Sequence, residues 1–345
     1  MAGLSDFEAA SRIPQLILLV DLPPQRSGLQ YLISRYPGVP LVLLVAETPL
    51  ERQAQHCGSN LRGFAAVLSY SRRIGGAPCP LLRSCSLPFR FSRGLQPTSK
   101  PVLSPIERSI ACTYVGNAHS SGWRRNYQYQ LGWRGWPLFW QYLQGWRLPL
   151  AAAWRDERFG AYGVRASAVL AASSAFGSRF LLSGNGWGKG GSGWFSRWFP
   201  DRRLKLPTQE LGLMPGSKIR ALRNSTFTLA CENYLGDPGY VSEKVFDAMA
   251  AGSIPIYIGA PNSLPAELND AVIDLSGLPR RVLLSPKKLT AVLAQIAAMP
   301  EDELLDRQQA CLNFMDQRYE QLCGLHPFLK AFDRVLDALG PCASS

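Results

Sequence analysis

Residues 227–262 read F-T-L-A-C-E-N-Y-L-G-D-P-G-Y-V-S-E-K-V-F-D-A-M-A-A-G-S-I-P-I-Y-I-G-A-P-N. The run 227–231 is short and apolar, the mark of a buried strand. It ends in a polar pair, Glu232-Asn233, and a Gly/Asp/Pro-rich loop follows over 236–239. Ser242 is placed to cap a helix whose first turn holds Glu243 and Lys244. That helix stops at Gly252, and a second apolar strand, 254–258, follows at once. Strand, loop, helix and strand predict a right-handed βαβ unit. Its polar residues gather beyond the carboxyl end of the first strand, where open α/β sheets bind nucleotides.

Each residue type suits that place. Lys244 brings a point charge to a helix N-terminus, whose free N–H groups already favour anions, and a diphosphate fits there. Glu243 is suited to accept hydrogen bonds from the two hydroxyls of a ribose. Tyr240 offers a ring face and a hydroxyl. Glu232 and Asn233 are suited to sugar hydroxyls. The plainer alternative is an exposed Glu-Lys pair and an asparagine that caps a turn. Clustering at one strand-loop-helix junction weighs against it.

The pattern F-x-L-A-x-E-N, then Y-V-S-E-K, then A-G-S-I-P-I-x-x-G resembles the α-1,3/1,4-fucosyltransferases, glycosyltransferase family 10. The resemblance implies an α/β chain of GT-B architecture, two Rossmann-like domains facing a cleft, and inverting transfer from GDP-fucose to a glycan hydroxyl. It assigns Asn233, Tyr240, Glu243 and Lys244 to the donor site. Cys231 stands where many members have Phe or another apolar residue, and Ser242 where Thr is common.

The chain has 345 residues, 46% of them hydrophobic, enough for two domains. Its net charge of +12 suits an anionic ligand, a membrane surface or nucleic acid without choosing among them. No apolar run reaches the ~18 residues of a membrane span, and residues 1–12 lack the order of a signal peptide. A cytoplasmic or peripheral-membrane protein is expected. The eight cysteines include no C-x-x-C pair, and the three histidines, His56, His119 and His326, are far apart, so no zinc site is expected. Free thiols in a reducing compartment are the expectation. The sequon Asn224-Ser225-Thr226 is discounted without a secretion signal.

Upstream, apolar runs at 15–20, 41–46 and 65–70 predict a first small parallel sheet. Residues 72–105, rich in Pro, Arg, Ser and Gly, read as loop and linker. The expected domains are therefore 1–105 on the acceptor side, 106–305 on the donor side, and C-terminal helices over 306–345. A strand at 110–115 opens the second sheet. Residues 119–160 form a Trp/Arg-rich insertion, with Trp123, Trp133, Trp136, Trp140, Trp146 and Trp154 set among arginines. An acceptor flap, a membrane-surface patch, a nucleic-acid stacking surface and a hairpin that simply buries its tryptophans are all open readings. A helix at 161–176 and a strand at 179–183 precede the loop G-N-G-W-G-K-G-G-S-G. That loop fails the Walker pattern because Gly190, not Ser or Thr, follows Lys189. By resemblance Arg165 contacts the donor diphosphate, with Arg124 or Arg125 as the competing choice; an arginine would grip phosphate through paired bonds. Helices are expected at 286–299, 301–319 and 328–339, and the resemblance implies a last helix of the kind that GT-B proteins often send back across the domain cleft.

Inverting transfer needs one base to deprotonate the acceptor hydroxyl. Between Glu51 and Glu107 there is no acidic residue. Glu47 ends an apolar strand before Thr48-Pro49, which is similar to the family's E-S-P element, where the Glu is a proposed base. Tyr70 to Arg73 resemble a Y-R-R segment whose usual acidic successors are replaced by Ile74-Gly75-Gly76. No D-x-D motif precedes the donor strand, so no metal is required, although a divalent ion would stimulate by assisting the diphosphate. The expected partners are GDP-fucose and a glycan acceptor, with peripheral membrane contact and no nucleic acid. The alternatives are a GT-B enzyme using another sugar nucleotide, or a non-catalytic nucleotide- or glycan-binding protein.

Overall fold

The structure, a computed structural model, describes residues 14–23, 26–49, 52–71, 74, 81–84, 102–117, 161–184, 187 and 217–340. Glu51, the Arg72-Arg73 pair, the Trp/Arg-rich insertion with Arg124 and Arg125, and most of the Gly-rich loop lie outside these. The elements run β1 Ile17–Val20, α1 Arg26–Arg35, β2 Leu41–Val45, β3 Ala66–Ser69, β4 Leu81–Ser84, β5 Ile110–Val115, α2 Tyr162–Phe176, β6 Phe180–Ser183 and α3 Ser217–Arg223. They continue as β7 Ser225–Cys231, α4 Glu243–Ala250, β8 Ile254–Ile258, β9 Ile273–Asp274, α5 Pro286–Ala297, α6 Glu301–Gln317 and α7 Leu325–Leu339.

The chain divides into two compact units. The first carries a parallel sheet in the order β1-β2-β3-β4. Val42, Leu43, Val45, Ala66, Val67 and Leu68 are all fully buried, so both faces of the central strands are covered, as a parallel sheet requires. Strand β4 corrects the reading of residues 72–105 as loop and linker alone. Its four residues lie in a short stretch flanked by Pro80 and Pro88, too short a run to show in the sequence; pairing with β3 supplies what local propensity does not. The C-terminal helix α7 belongs to this unit too. It lays Ala331 and Val335 on Val42, Ala66 and Leu68.

The second unit holds a parallel sheet in the order β6-β5-β7-β8-β9. All seven residues of β7 are buried, and they alternate between two cores. Leu229 and Cys231 join Ile254, Ile256 and Ile258 against α2 and α5 on one face. Ala230 and Tyr257 meet Val245 and Met249 of α4 and Cys311 and Phe314 of α6 on the other. The expected βαβ unit is therefore present, with helices on both faces of its sheet. Lys218 of α3 pairs with Asp247 and ties α4 from behind. The edge strand β9 has two residues, Ile273–Asp274. Among the described residues no helix is long and apolar enough to cross a membrane.

Gly252 ends α4 with φ 70°, where a Cβ would press against Val102 Cγ1. Left-handed backbone costs an L-residue about 1–2 kcal/mol. Gly252→Ala is expected to lower stability by at least that amount in urea denaturation; an unchanged midpoint would show that the α4-β8 turn relaxes freely.

Candidate active site

The carboxyl ends of β5 and β7 build the site. Leaving β7, the backbone keeps one more sheet bond, Glu232 N–H to Ile258 O at 2.9 Å. The Glu232 side chain is 0% exposed. An ionised carboxylate so buried needs partners for its oxygens. Oε1 accepts from Ser242 N–H at 2.7 Å, and Oε2 accepts from the Ser242 hydroxyl at 2.6 Å. Lys244 Nζ donates to Ser242 Oγ at 2.9 Å and stands 3.4 Å from Glu232 Oε2, with its side chain 18% exposed. Glu243, half-buried, precedes it in the first turn of α4.

The loop between them is held by its own chemistry. Asp237 Oδ1 accepts from Gly239 N–H at 2.8 Å, and Tyr240 N–H donates to Asp237 O at 3.1 Å. Tyr240 is buried, its ring edge-on to Tyr234 at 6.4 Å. Little of Tyr240 is left exposed.

Asn233 faces the second cation. Arg165, on α2, is buried and donates from all three nitrogens: Nε to the Tyr114 hydroxyl at 2.8 Å, Nη1 to Asn233 Oδ1 at 2.8 Å, and Nη2 to Asn117 O at 2.9 Å. A guanidinium has five N–H donors, so one on each Nη is left over. Burial opposes its charge, but the Tyr114 oxygen and further neighbours outweigh that and raise its pKa above the usual value. Burial likewise pushes the Tyr114 phenol up to about 12 against the pull of Arg165, so the hydroxyl stays protonated.

Two residues that the sequence reading did not single out complete this corner. Tyr114, buried in β5, is the acceptor for Arg165. Trp187, also buried, donates Nε1–H to Gly116 O at 2.6 Å and packs edge-on to Tyr114 at 5.6 Å. Gly116 and Gly184 let the two strand ends meet. A Cβ at Gly184, where φ is 136°, would strike the Gly116 carbonyl. In the sequence this corner is marked by Gly116-Asn117, which directly follow the strand at 110–115.

In the first unit Glu47 follows β2, at a strand's carboxyl end as expected. Its position is fixed through the backbone. Asp21 Oδ1 accepts from Ala46 N–H at 2.8 Å, Glu47 N–H at 3.0 Å and Gln55 Nε2 at 2.7 Å. Glu47 O accepts from Gln55 Nε2 at 3.1 Å and His56 Nε2 at 2.9 Å. The Glu47 side chain is half-buried.

Among the described residues no group of three or more His, Cys, Asp or Glu is gathered to hold a metal ion. A cavity of about 320 Å³ lies at the amino ends of β5 and β7, lined by Ala111, Phe176, Arg179, Thr226 and Phe227 among others. It is at the opposite end of the sheet from the cations.

No protein-family profile matches the chain. A fucosyltransferase-like protein of Arabidopsis thaliana is 44% identical over 45 residues, 13% of this chain. The match spans only 9% of that protein's own length. Among solved structures, a trehalose-6-phosphate synthase superposes with a TM-score of 0.50 at 9% identity, covering 92% of this chain and 71% of that one. An α1,3-fucosyltransferase crystallised with GDP gives 0.48 at 12% identity, with 95% and 79% covered. Another, with GDP-fucose, gives 0.45 at 15%, with 94% and 92% covered. At such identities the likeness is one of fold. The chain has the α/β GT-B fold of glycosyltransferases.

Tyr114→Phe removes the acceptor of Arg165 Nε–H and leaves a buried charged donor unsatisfied. A loss of about 1–3 kcal/mol in chemical denaturation is expected. Wild-type stability in this variant would mean that Arg165 finds another acceptor.

Proposed function

We propose that this protein is an inverting glycosyltransferase that moves fucose from GDP-fucose to a glycan hydroxyl. One observation carries the reading. Two cations, Lys244 and Arg165, are held on consecutive residues, Glu232 and Asn233, at the carboxyl end of a central strand and beside a helix start. Such a place suits a diphosphate. The leftover Arg165 donors and the Lys244 ammonium would grip its oxygens. Asn233 and Glu243 are the candidates for donor hydroxyls, and Tyr240 shapes the loop beside them. The fucosyl choice rests on the E-N…Y-V-S-E-K pattern, and the short match to a fucosyltransferase-like plant protein supports it.

In the reaction, the acceptor oxygen attacks the anomeric carbon from the face opposite the nucleotide. The bond to the β-phosphate oxygen breaks as the new glycosidic bond forms, the hydroxyl proton passes to Glu47, and GDP leaves. Charge grows on the departing diphosphate, so fixed cations lower the barrier. Glu47 as base is a proposal from its strand-end position and its held backbone. Divalent ions in solution are expected to raise the rate by assisting the leaving diphosphate.

The test is calorimetry with GDP, GDP-fucose and UDP-glucose, joined to a GDP-release assay over a panel of glycan acceptors. GDP compounds are expected to bind and UDP-glucose much more weakly. Lys244→Ala is expected to lose about 1–3 kcal/mol of donor binding. Equal affinity for UDP-glucose would leave a GT-B enzyme for another sugar nucleotide. Binding without turnover would leave a non-catalytic protein.

Glu47→Gln keeps size and shape but not basicity. It is expected to preserve donor affinity and lower turnover by roughly 10²–10⁴-fold. A wild-type rate in this variant would rule Glu47 out as the base.

A further inference from the structure

We infer that Glu232 is a positioning residue that holds the start of α4 open for a diphosphate, and that it does not touch the sugar. This rests on the reading above that a nucleoside diphosphate binds at that helix. Ser242 occupies the N-cap position, with φ −92° and ψ 178°. A serine in that position ordinarily turns its hydroxyl back onto an N–H of the first helical turn. Ser242 makes no such bond. Its hydroxyl and its N–H both go to the Glu232 carboxylate, one to each oxygen. The buried carboxylate thereby withholds the natural cap from its own helix. The first-turn N–H groups are left for an incoming anion, which is the condition that makes a helix start an anion site.

The same contact orders the cation. A hydroxyl has a single proton, so a Ser242 Oγ that donates to Glu232 accepts from Lys244. Nζ is held 2.9 Å from Ser242 Oγ, near the helix end, and keeps some access to solvent. Lys244 and Glu232 together are neutral, so the carboxylate does not repel a diphosphate. The helix end, Arg165 and the exposed side of the Lys244 ammonium are then what the anion meets. Glu232, wholly buried, has no face to present to a sugar hydroxyl.

Removing the carboxylate has two effects. The Ser242 hydroxyl becomes free to cap α4 and competes with the diphosphate, and Lys244 loses its counter-charge. The first effect gives a test that a merely structural role would not pass. GDP affinity is measured by calorimetry for the wild type, Glu232→Gln and Glu232→Gln/Ser242→Ala, with folding checked by circular dichroism. Glu232→Gln is expected to weaken GDP by about tenfold or more. Adding Ser242→Ala removes the competing cap and is expected to recover about threefold, an N-cap's usual contribution. A single variant that binds GDP like the wild type, or a double variant no tighter than the single, overturns the inference. So does a Glu232→Gln variant that spares GDP and loses only the extra affinity of GDP-fucose, since that is the mark of a sugar ligand. If Glu232→Gln does not fold, the same comparison is made with Glu232→Asp and Glu232→Asp/Ser242→Ala, because the shorter carboxylate cannot span both Ser242 groups. A wild type that binds no GDP overturns the functional reading and this inference with it; failure of the variants alone overturns only the inference.

Discussion

A carboxylate removed from water must be satisfied by the protein, and Glu232 is satisfied by a residue ten positions along the chain. That single requirement closes the loop between β7 and α4. It sets where the helix begins, which way Ser242 points and where the Lys244 ammonium rests. Breaking one side of such a buried contact costs far more than an exposed ion pair would, because the charge left behind has no water to turn to. The site's geometry is therefore as rigid as the strand end that carries it.

The second cation is governed by crowding as much as by charge. Arg165 reaches three acceptors on two stretches of chain: Tyr114 of β5 with Asn117 just beyond it, and Asn233 at the end of β7. Beside them the backbones after β5 and β6 nearly touch, and the absence of a Cβ at Gly184 permits it. Trp187 seals the approach from the side with its indole N–H and its ring. The guanidinium is thus aimed by packing before any ligand arrives, which is what preorganised electrostatic stabilisation requires.

Much of this was legible in the sequence because β7, α4 and β8 are contiguous. Alternating faces, a Gly-rich turn and a Ser-Glu-Lys helix start all fall within residues 227–262, so local rules sufficed. Glu47 at the end of an apolar run was legible for the same reason. Other features were not, because they depend on partners distant in the chain. Arg165 is 68 positions from Asn233, and only a resemblance brought it to the site. Ser242 was read as a helix cap; it has the cap's backbone, but its hydroxyl serves Glu232. The residue type of Glu232 suggests a sugar ligand; the structure buries it and turns both carboxylate oxygens to Ser242. Strand β4 hid in a proline-rich stretch, and Tyr114 and Trp187 looked like ordinary apolar residues.

The packing of α7 on the first sheet has a consequence for how the chain is made. Val42, Ala66 and Leu68 leave the ribosome long before the helix that covers them with Ala331 and Val335. Until then one face of that sheet waits without its final cover, while the second unit can condense as it emerges. During translation at about 5–20 residues per second, that wait lasts on the order of tens of seconds. The first unit is in this respect completed after the second, and its exposed interval is when a chaperone or a misplaced strand would find it.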